Sequence, residues 1–165
     1  MGEEMKMASG NVQIHPTARV DYCYMGKNIK IWHNSHICDR AMIGDDCIIG
    51  QNVYIGPDVR IGENCKIQNN AYLPEGVVIE SHVFIGPSVT FTNVKYPDAR
   101  REQKDAFLST KVMKSAVIGA GATILPGLTL GMGCFVGAGS VVTKSVDDGE
   151  TVVGNPTRRF DFRRK

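Results

Sequence analysis

Every sixth residue from Met25 onward is apolar: Met25, Ile31, Ile37, Ile43, Ile49, Ile55, Ile61, Ile67, Leu73, Ile79, Ile85 and Phe91. With 42% hydrophobic residues overall, twelve in succession has a chance on the order of 10⁻⁵ for a fixed start and period, so the pattern is an internal repeat. Ile14 and Val20 extend it backwards, one residue out of phase, and Val112, Ile118, Ile124, Leu130, Val136 and Val142 resume it after a gap. The other hexad positions keep step. The residue after the aliphatic is often glycine, as at Gly26, Gly44, Gly62, Gly86 and Gly131. The fifth residue is small or β-branched, as at Ser35, Ala41, Cys47, Val53, Val59, Cys65, Ala71, Ala116, Cys134 and Ser140.

A period of six fits neither an isolated helix nor a hairpin sheet. It predicts an all-β parallel solenoid, a triangular prism in which each hexad supplies one short strand and one corner. Three hexads make a coil of eighteen residues, and successive coils stack as parallel strands about 4.8 Å apart. The first and fifth positions point inward. Glycine in second position is expected to serve corner backbone that a Cβ disfavours. Spacing does not fix the hand, and the crossover rule by itself favours a right-handed one.

The repeat lapses over Thr92–Lys111, a charged stretch containing Pro97. A loop this long inside a compact domain is usually functional, and it is expected to leave the prism toward a neighbouring subunit. The chain thus divides into a polar leader at 1–10, a solenoid domain at 11–153 interrupted by loop 92–111, and a basic tail at 154–165. Five of the last eight residues are Arg or Lys.

Composition adds mainly exclusions. A length of 165 residues suits one domain, and a net charge of +2 calls for neither a nucleic acid nor a membrane partner. No apolar run is long enough to span a bilayer, and the leader has no apolar signal core. Five cysteines with no CxxC pair argue against a disulfide framework and a structural zinc site, and for a cytoplasmic home. Cys47, Cys65 and Cys134 fall on the small inward position and read as buried hydrophobes.

Residues eighteen apart lie on the same face of adjacent coils. Glu75 and Asn93 form such a pair at the mouth of the loop, where a carboxylate and a carboxamide suit one polar group of a substrate. Gln68, Asn69 and Asn70 put three amides in one corner, for substrate or for hydrogen bonds to the corner backbone. His33 and His36 share a hexad, His82 stands apart, and each is a candidate general base for a hydroxyl acceptor or a zinc ligand.

The stretches IWHNSHI, IIGQNVYIG, CKIQNN, VFIGPSVTFTNV and VVGNPTR resemble the nucleotide-sugar amine N-acetyltransferases of the hexapeptide superfamily, from Ile14 to about Arg158. Within it they are most similar to UDP-2-acetamido-3-amino-2,3-dideoxy-glucuronate N-acetyltransferases, then to dTDP-3-amino-3,6-dideoxyhexose N-acetyltransferases. The resemblance implies a left-handed parallel β-helix and a homotrimer with acetyl-CoA between adjacent prisms. It implies a nucleotide-linked amino sugar as acceptor, destined for surface polysaccharide, and no metal. Asn93 then holds the acceptor amine and Glu75 orients the sugar. Gln68, Asn70, His33, His36 and Arg100 are candidate substrate contacts. Gly119, Ala120, Gly137, Ala138, Pro156, Arg158 and Arg159 are the cofactor candidates, small corners for the pantetheine arm and a basic end for the phosphates. The chain departs from the group in having Asp98 after Pro97 where Arg is usual and Thr157 for Ala, while Val94 after Asn93 stands where dTDP-sugar members tend to have Asp and leans toward the UDP-uronate group. The alternatives within the fold are a sugar or serine O-acetyltransferase, which needs a histidine base, and a zinc carbonic anhydrase, whose three-histidine set is missing here. A scaffold subunit without activity is the alternative outside enzymology.

Overall fold

A computed structural model describes residues 10–161. The leader lies almost wholly outside these, as do the last four residues of the tail.

The chain is a parallel β-solenoid of three sheets, with two- or three-residue strands recurring in rotation. The first face is a nine-stranded sheet, running from Gln13–Ile14 and Lys30–Ile31 up to Thr151–Val153 and Arg158–Arg159. The second face has seven strands, beginning Arg19–Val20 and His36–Ile37, and the third has six, beginning Tyr24–Met25 and Met42–Ile43. Partners are eighteen residues apart through the regular coils, as in Lys66↔Ile48 and Tyr72↔Tyr54. At the start they are seventeen apart, Gln13↔Lys30 and Arg19↔His36, which is the phase slip seen in the sequence. Across the loop the step widens to Phe84↔Val117, and the repeat resumes in register.

The periodic aliphatics fill the prism. All twelve from Met25 to Phe91 are buried, and so are Val112, Ile118, Ile124, Leu130, Val136 and Val142. The fifth position is buried at Cys47, Cys65 and Cys134 and nearly everywhere else, with Leu128 partly buried. All five cysteines are free. Burial away from water pushes the Cys23 and Cys134 thiols up to about 11, which makes both inert at neutral pH. Ser35 is buried with its hydroxyl donating to Gly50 O at 2.6 Å and accepting from Val53 N at 3.1 Å, so a polar atom in the core has its partners.

The corners correct the expectation for glycine. The left-handed backbone falls on the fourth hexad position, two residues after these glycines: Asn28, Asn34, Arg40, Asp46, Asn52, Asp58, Asn64 and Asn70 all have φ between 54° and 62°. Asn and Asp visit this region at lower cost than other side chains. Second-position glycine has a different cause. A Cβ on Gly44 would stand 2.6 Å from Glu63 N, and one on Gly119 2.5 Å from Ala138 N, so the next coil's backbone occupies the space. Glycine there permits close stacking.

Corner side chains also tie coil to coil. Asp45 accepts from Lys27 N at 2.8 Å and Asn69 from Gln51 N at 3.0 Å. Asn28 donates to Asp46 at 3.0 Å, and Arg40 is bidentate to Asp58 at 2.9 and 2.7 Å. No buried side-chain polar atom of the described residues lacks a partner.

Candidate active site

Glu75 and Asn93 follow Leu73 and Phe91 by two residues, on the corner between the second and third faces. The stacking inferred from the sequence holds, with a specific contact. Asn93 Nδ2 donates to the main-chain carbonyl of Glu75 at 3.3 Å, not to its carboxylate. That fixes which way the amide points and leaves its Oδ1 as an acceptor. Both side chains are half-buried.

The loop springs from this corner and is pinned at its base. Leu108 N donates to Asn93 O at 2.8 Å, and Val94 and Phe107 form an antiparallel bridge. The returning Leu108 passes two glycines. The Leu108 carbonyl would lie 3.4 Å from a Cβ on Gly76 and its side chain 3.4 Å from one on Gly127. Gly76 has φ +95°, so its backbone also needs glycine. Further out, residues from Tyr96 to Ala106 enclose a concavity of about 590 Å³ that Glu75 and Asn93 do not line.

Arg100 stands on that concavity but is already paired. It holds Asp98 through two bonds of 2.9 and 3.0 Å, and Arg101 adds a third at 3.0 Å. The Arg100 guanidinium, then its backbone N–H, hold the Asp98 carboxyl below its usual range. The residue that departs from the family pattern, Asp98, thus sets the posture of the arginine.

The other acceptor candidates lie elsewhere. Gln68, Asn70 and His33 are on the corner between the first and second faces. Asn70 accepts from Asn52 Nδ2 at 3.2 Å, so the amide-rich corner bonds between coils rather than to its own backbone. His33 stacks on His15 with centroids 3.6 Å apart and lies 6.1 Å from the Trp32 ring. His36 points outward from the second face and meets Asp21 at 2.8 Å. His82 is exposed on the third corner with φ 62°.

The cofactor candidates do come together. Gly119–Ala120 and Gly137–Ala138 occupy successive coils of the first corner. The tail folds onto the end of that corner. Gly154 N donates to Ser140 Oγ at 3.1 Å and Thr157 N to Val141 O at 3.0 Å. Arg158 and Arg159 then pair antiparallel with Val153 and Val152. Arg158–Arg159 is therefore a short strand whose side chains remain exposed. Pro156 sits in the turn between them.

Comparison with known proteins decides the family. Over 154 residues, 93% of this chain and 80% of the relative, it is 41% identical to the dTDP-3-amino-3,6-dideoxy-alpha-D-galactopyranose 3-N-acetyltransferase of Aneurinibacillus thermoaerophilus. The chain belongs to the hexapeptide-repeat acetyltransferases. Residues 109–144 match the family model "Bacterial transferase hexapeptide (six repeats)", and residues 31–112 match "GMPPB C-terminal domain". A hexapeptide-repeat-containing acetyltransferase from Vibrio cholerae O1 biovar eltor, complexed with acetyl coenzyme A, superposes with a TM-score of 0.62 at 27% identity. That match covers 72% of this chain and 69% of the other. A putative acetyltransferase of Schizosaccharomyces pombe is 33% identical over 85 residues, 50% of this chain, and the match spans only 41% of that relative's length. No helix of the described residues is long and apolar enough to cross a membrane.

Sequence reasoning missed one group. Asp21, His36 and Cys38 bring a carboxylate oxygen, a ring nitrogen and a sulfur within 4.8 Å of one another. The signal was present in the seventeen-residue first coil, which sets Asp21 beside Cys38 rather than beside Asp39.

Proposed function

We propose that the protein transfers the acetyl group of acetyl-CoA to the amine of a nucleotide-linked 3-amino sugar, working as a homotrimer. The observation that carries this reading is the near full-length similarity to a dTDP-3-amino-sugar N-acetyltransferase, joined to an Asn93–Glu75 pair at the root of the loop. A neutral sugar amine is already a nucleophile and needs placement more than deprotonation. Asn93 Oδ1 accepts a hydrogen bond from the amine and aims its lone pair at the thioester carbonyl. Glu75 orients the hexose. The amine adds to the carbonyl carbon, a corner N–H stabilises the oxyanion, and collapse expels the CoA thiolate, which takes the amine proton. No histidine base is required.

The positions of the two groups within one chain support the trimer. The acceptor pair is on the second corner and the cofactor set on the first, so one prism presents them on different edges. A second copy packed alongside brings the first corner of one chain against the second corner of the next, with the loop across the groove. Arg158 and Arg159 meet the CoA phosphates, and the corner glycines leave room for the pantetheine arm.

The acceptor tested first is a dTDP-linked 3-amino-3,6-dideoxyhexose. Val94 in place of the Asp usual in dTDP-sugar members favours a UDP-linked 3-amino-uronate as the second arm, with the product entering surface polysaccharide. CoA release is measured with both, and with the matching 3-hydroxy sugars. Turnover on an amine and none on the hydroxy sugars is expected. Equal turnover on a hydroxy sugar contradicts direct amine attack and returns the search to a histidine base.

A further inference from the structure

We propose that Asp21, His36 and Cys38 form a binding site for a zinc-class divalent transition metal, stapling the first coil of the solenoid to the second. Nothing in the acetyl-transfer scheme uses these residues.

The register builds the site. Arg19 pairs with His36 and Val20 with Ile37, so Asp21 and Cys38 follow side by side on adjacent coils. Asp21 Oδ2 lies 2.8 Å from His36 Nε2, and Cys38 Sγ lies 3.7 Å from the same nitrogen. In a tetrahedral zinc site, metal–ligand lengths of about 2.0–2.3 Å put nitrogen and sulfur about 3.6 Å apart, and nitrogen and oxygen about 3.3 Å apart. The N–S separation already matches. The N–O separation is that of a hydrogen bond and opens by about half an ångström when a metal replaces the bridging proton. Binding at Nε2 leaves the imidazole proton on Nδ1 and releases the Cys38 thiol proton to solvent.

The neighbours act as supports of such a site. Arg19 Nε donates to Asp21 Oδ1 at 2.8 Å, which fixes the carboxylate and leaves Oδ2 facing the histidine. Tyr54 stands edge-on to the His36 ring at 5.8 Å. Held ligand orientation of this kind is what outer partners of metal sites supply. Cys38 is buried, while Asp21 and His36 are part-exposed at 23% and 32% of their side chains, so a fourth position opens to water. One sulfur, one imidazole and one carboxylate select zinc, cobalt or nickel over magnesium or calcium.

The test uses the full chain stripped with chelator and titrated with Co²⁺, then Zn²⁺. One Co²⁺ per chain is expected, with a thiolate-to-cobalt charge-transfer absorption that Zn²⁺ bleaches. Zn²⁺ is also expected to raise the thermal midpoint. Cys38→Ala abolishes the absorption, and His36→Gln and Asp21→Asn each weaken binding at least tenfold. These two surface variants keep the test valid if Cys38→Ala does not fold. His82→Asn leaves binding unchanged. No charge-transfer absorption in the wild type, or unchanged Co²⁺ affinity in folded His36→Gln and Asp21→Asn, overturns the proposal.

Discussion

The third corner and the second corner of this prism are built from the same repeat and do different work. The third corner has Gly26, Gly44, Gly62 and later Gly131 in second position, with Glu80 and Met113 between them, and a Cβ on any of these four glycines would lie under 3 Å from the next coil's backbone. The second corner runs Cys38, Gly56, Pro74, Thr92 and Leu125 at the equivalent place. Where glycine lapses, the corner carries Asp21 and Cys38, then Glu75, then Asn93 and the loop. On the second corner the acceptor candidates follow such lapses, whereas the cofactor candidates on the first corner keep Gly119 and Gly137.

The largest effect that sharpens this contrast is at the regular corner. Gly44→Val drives a side chain into Glu63 backbone, and overpacking of this kind costs about 1–3 kcal/mol or more. Gly133→Ala on the same corner meets no atom within 4 Å and bears only the left-handed φ of +62°, a cost of about 1–2 kcal/mol. Denaturant midpoints for the pair check the order, and Gly133→Ala as the more damaging of the two would break the close-stacking account. At the second corner the effect should fall on rate. Asn93→Ala is expected to lower kcat about 100-fold, the scale of a lost positioning contact, with little change in thermal midpoint. Near-full kcat removes Asn93 from the mechanism. Smaller again, Arg158→Ala is expected to raise KM for acetyl-CoA about tenfold, for loss of one charge-assisted phosphate contact, with kcat largely kept.

The smallest effect is a pH dependence. Hydrogen bonds to His36 and then Arg19 hold Asp21 below its usual carboxylate range, and Arg40 does the same for Asp58. In this range the unfolded chain binds more protons than the folded one, so stability rises with pH. The contribution is complete above the unfolded value of about 4 and is lost as pH falls through the lower folded values. Both carboxylates face solvent, so the effect is small and weakens with salt. Thermal midpoints between pH 5 and 3 should fall less steeply in Asp58→Asn than in the wild type. An equal slope removes this pair from the acid response.

The solenoid was legible because its physics is periodic. An inward aliphatic every six residues and a small residue at the fifth position leave one arrangement that buries both, and Ile31 to Phe91 occupy it without exception. The column of Glu75 and Asn93 followed from the same count. The reason for the glycines did not follow, because Gly44 and Gly133 are both corner glycines, and the structure alone shows that one meets the next coil's backbone while the other has a left-handed φ of +62°. Arg100 was a candidate substrate contact, yet Asp98 two residues earlier pairs with it, a contact set by loop conformation rather than spacing. The strand in the tail was not legible, because pairing of Arg158 with Val153 depends on a turn at Gly154–Thr157 that carries no periodic signal. The Asp21–His36–Cys38 group was hidden by one missing residue in the first coil, which shifts the stacking by a single position.

The central claim is that acceptor and cofactor groups lie on different corners and meet only between chains. It is tested most directly by co-expressing Asn93→Ala chains with Arg158→Ala/Arg159→Ala chains and assaying the mixed oligomers at low acetyl-CoA. Random mixing gives about one interface in four with both corners intact, so activity well above that of either variant alone is predicted. Mixed oligomers no more active than the two separate variants would contradict it.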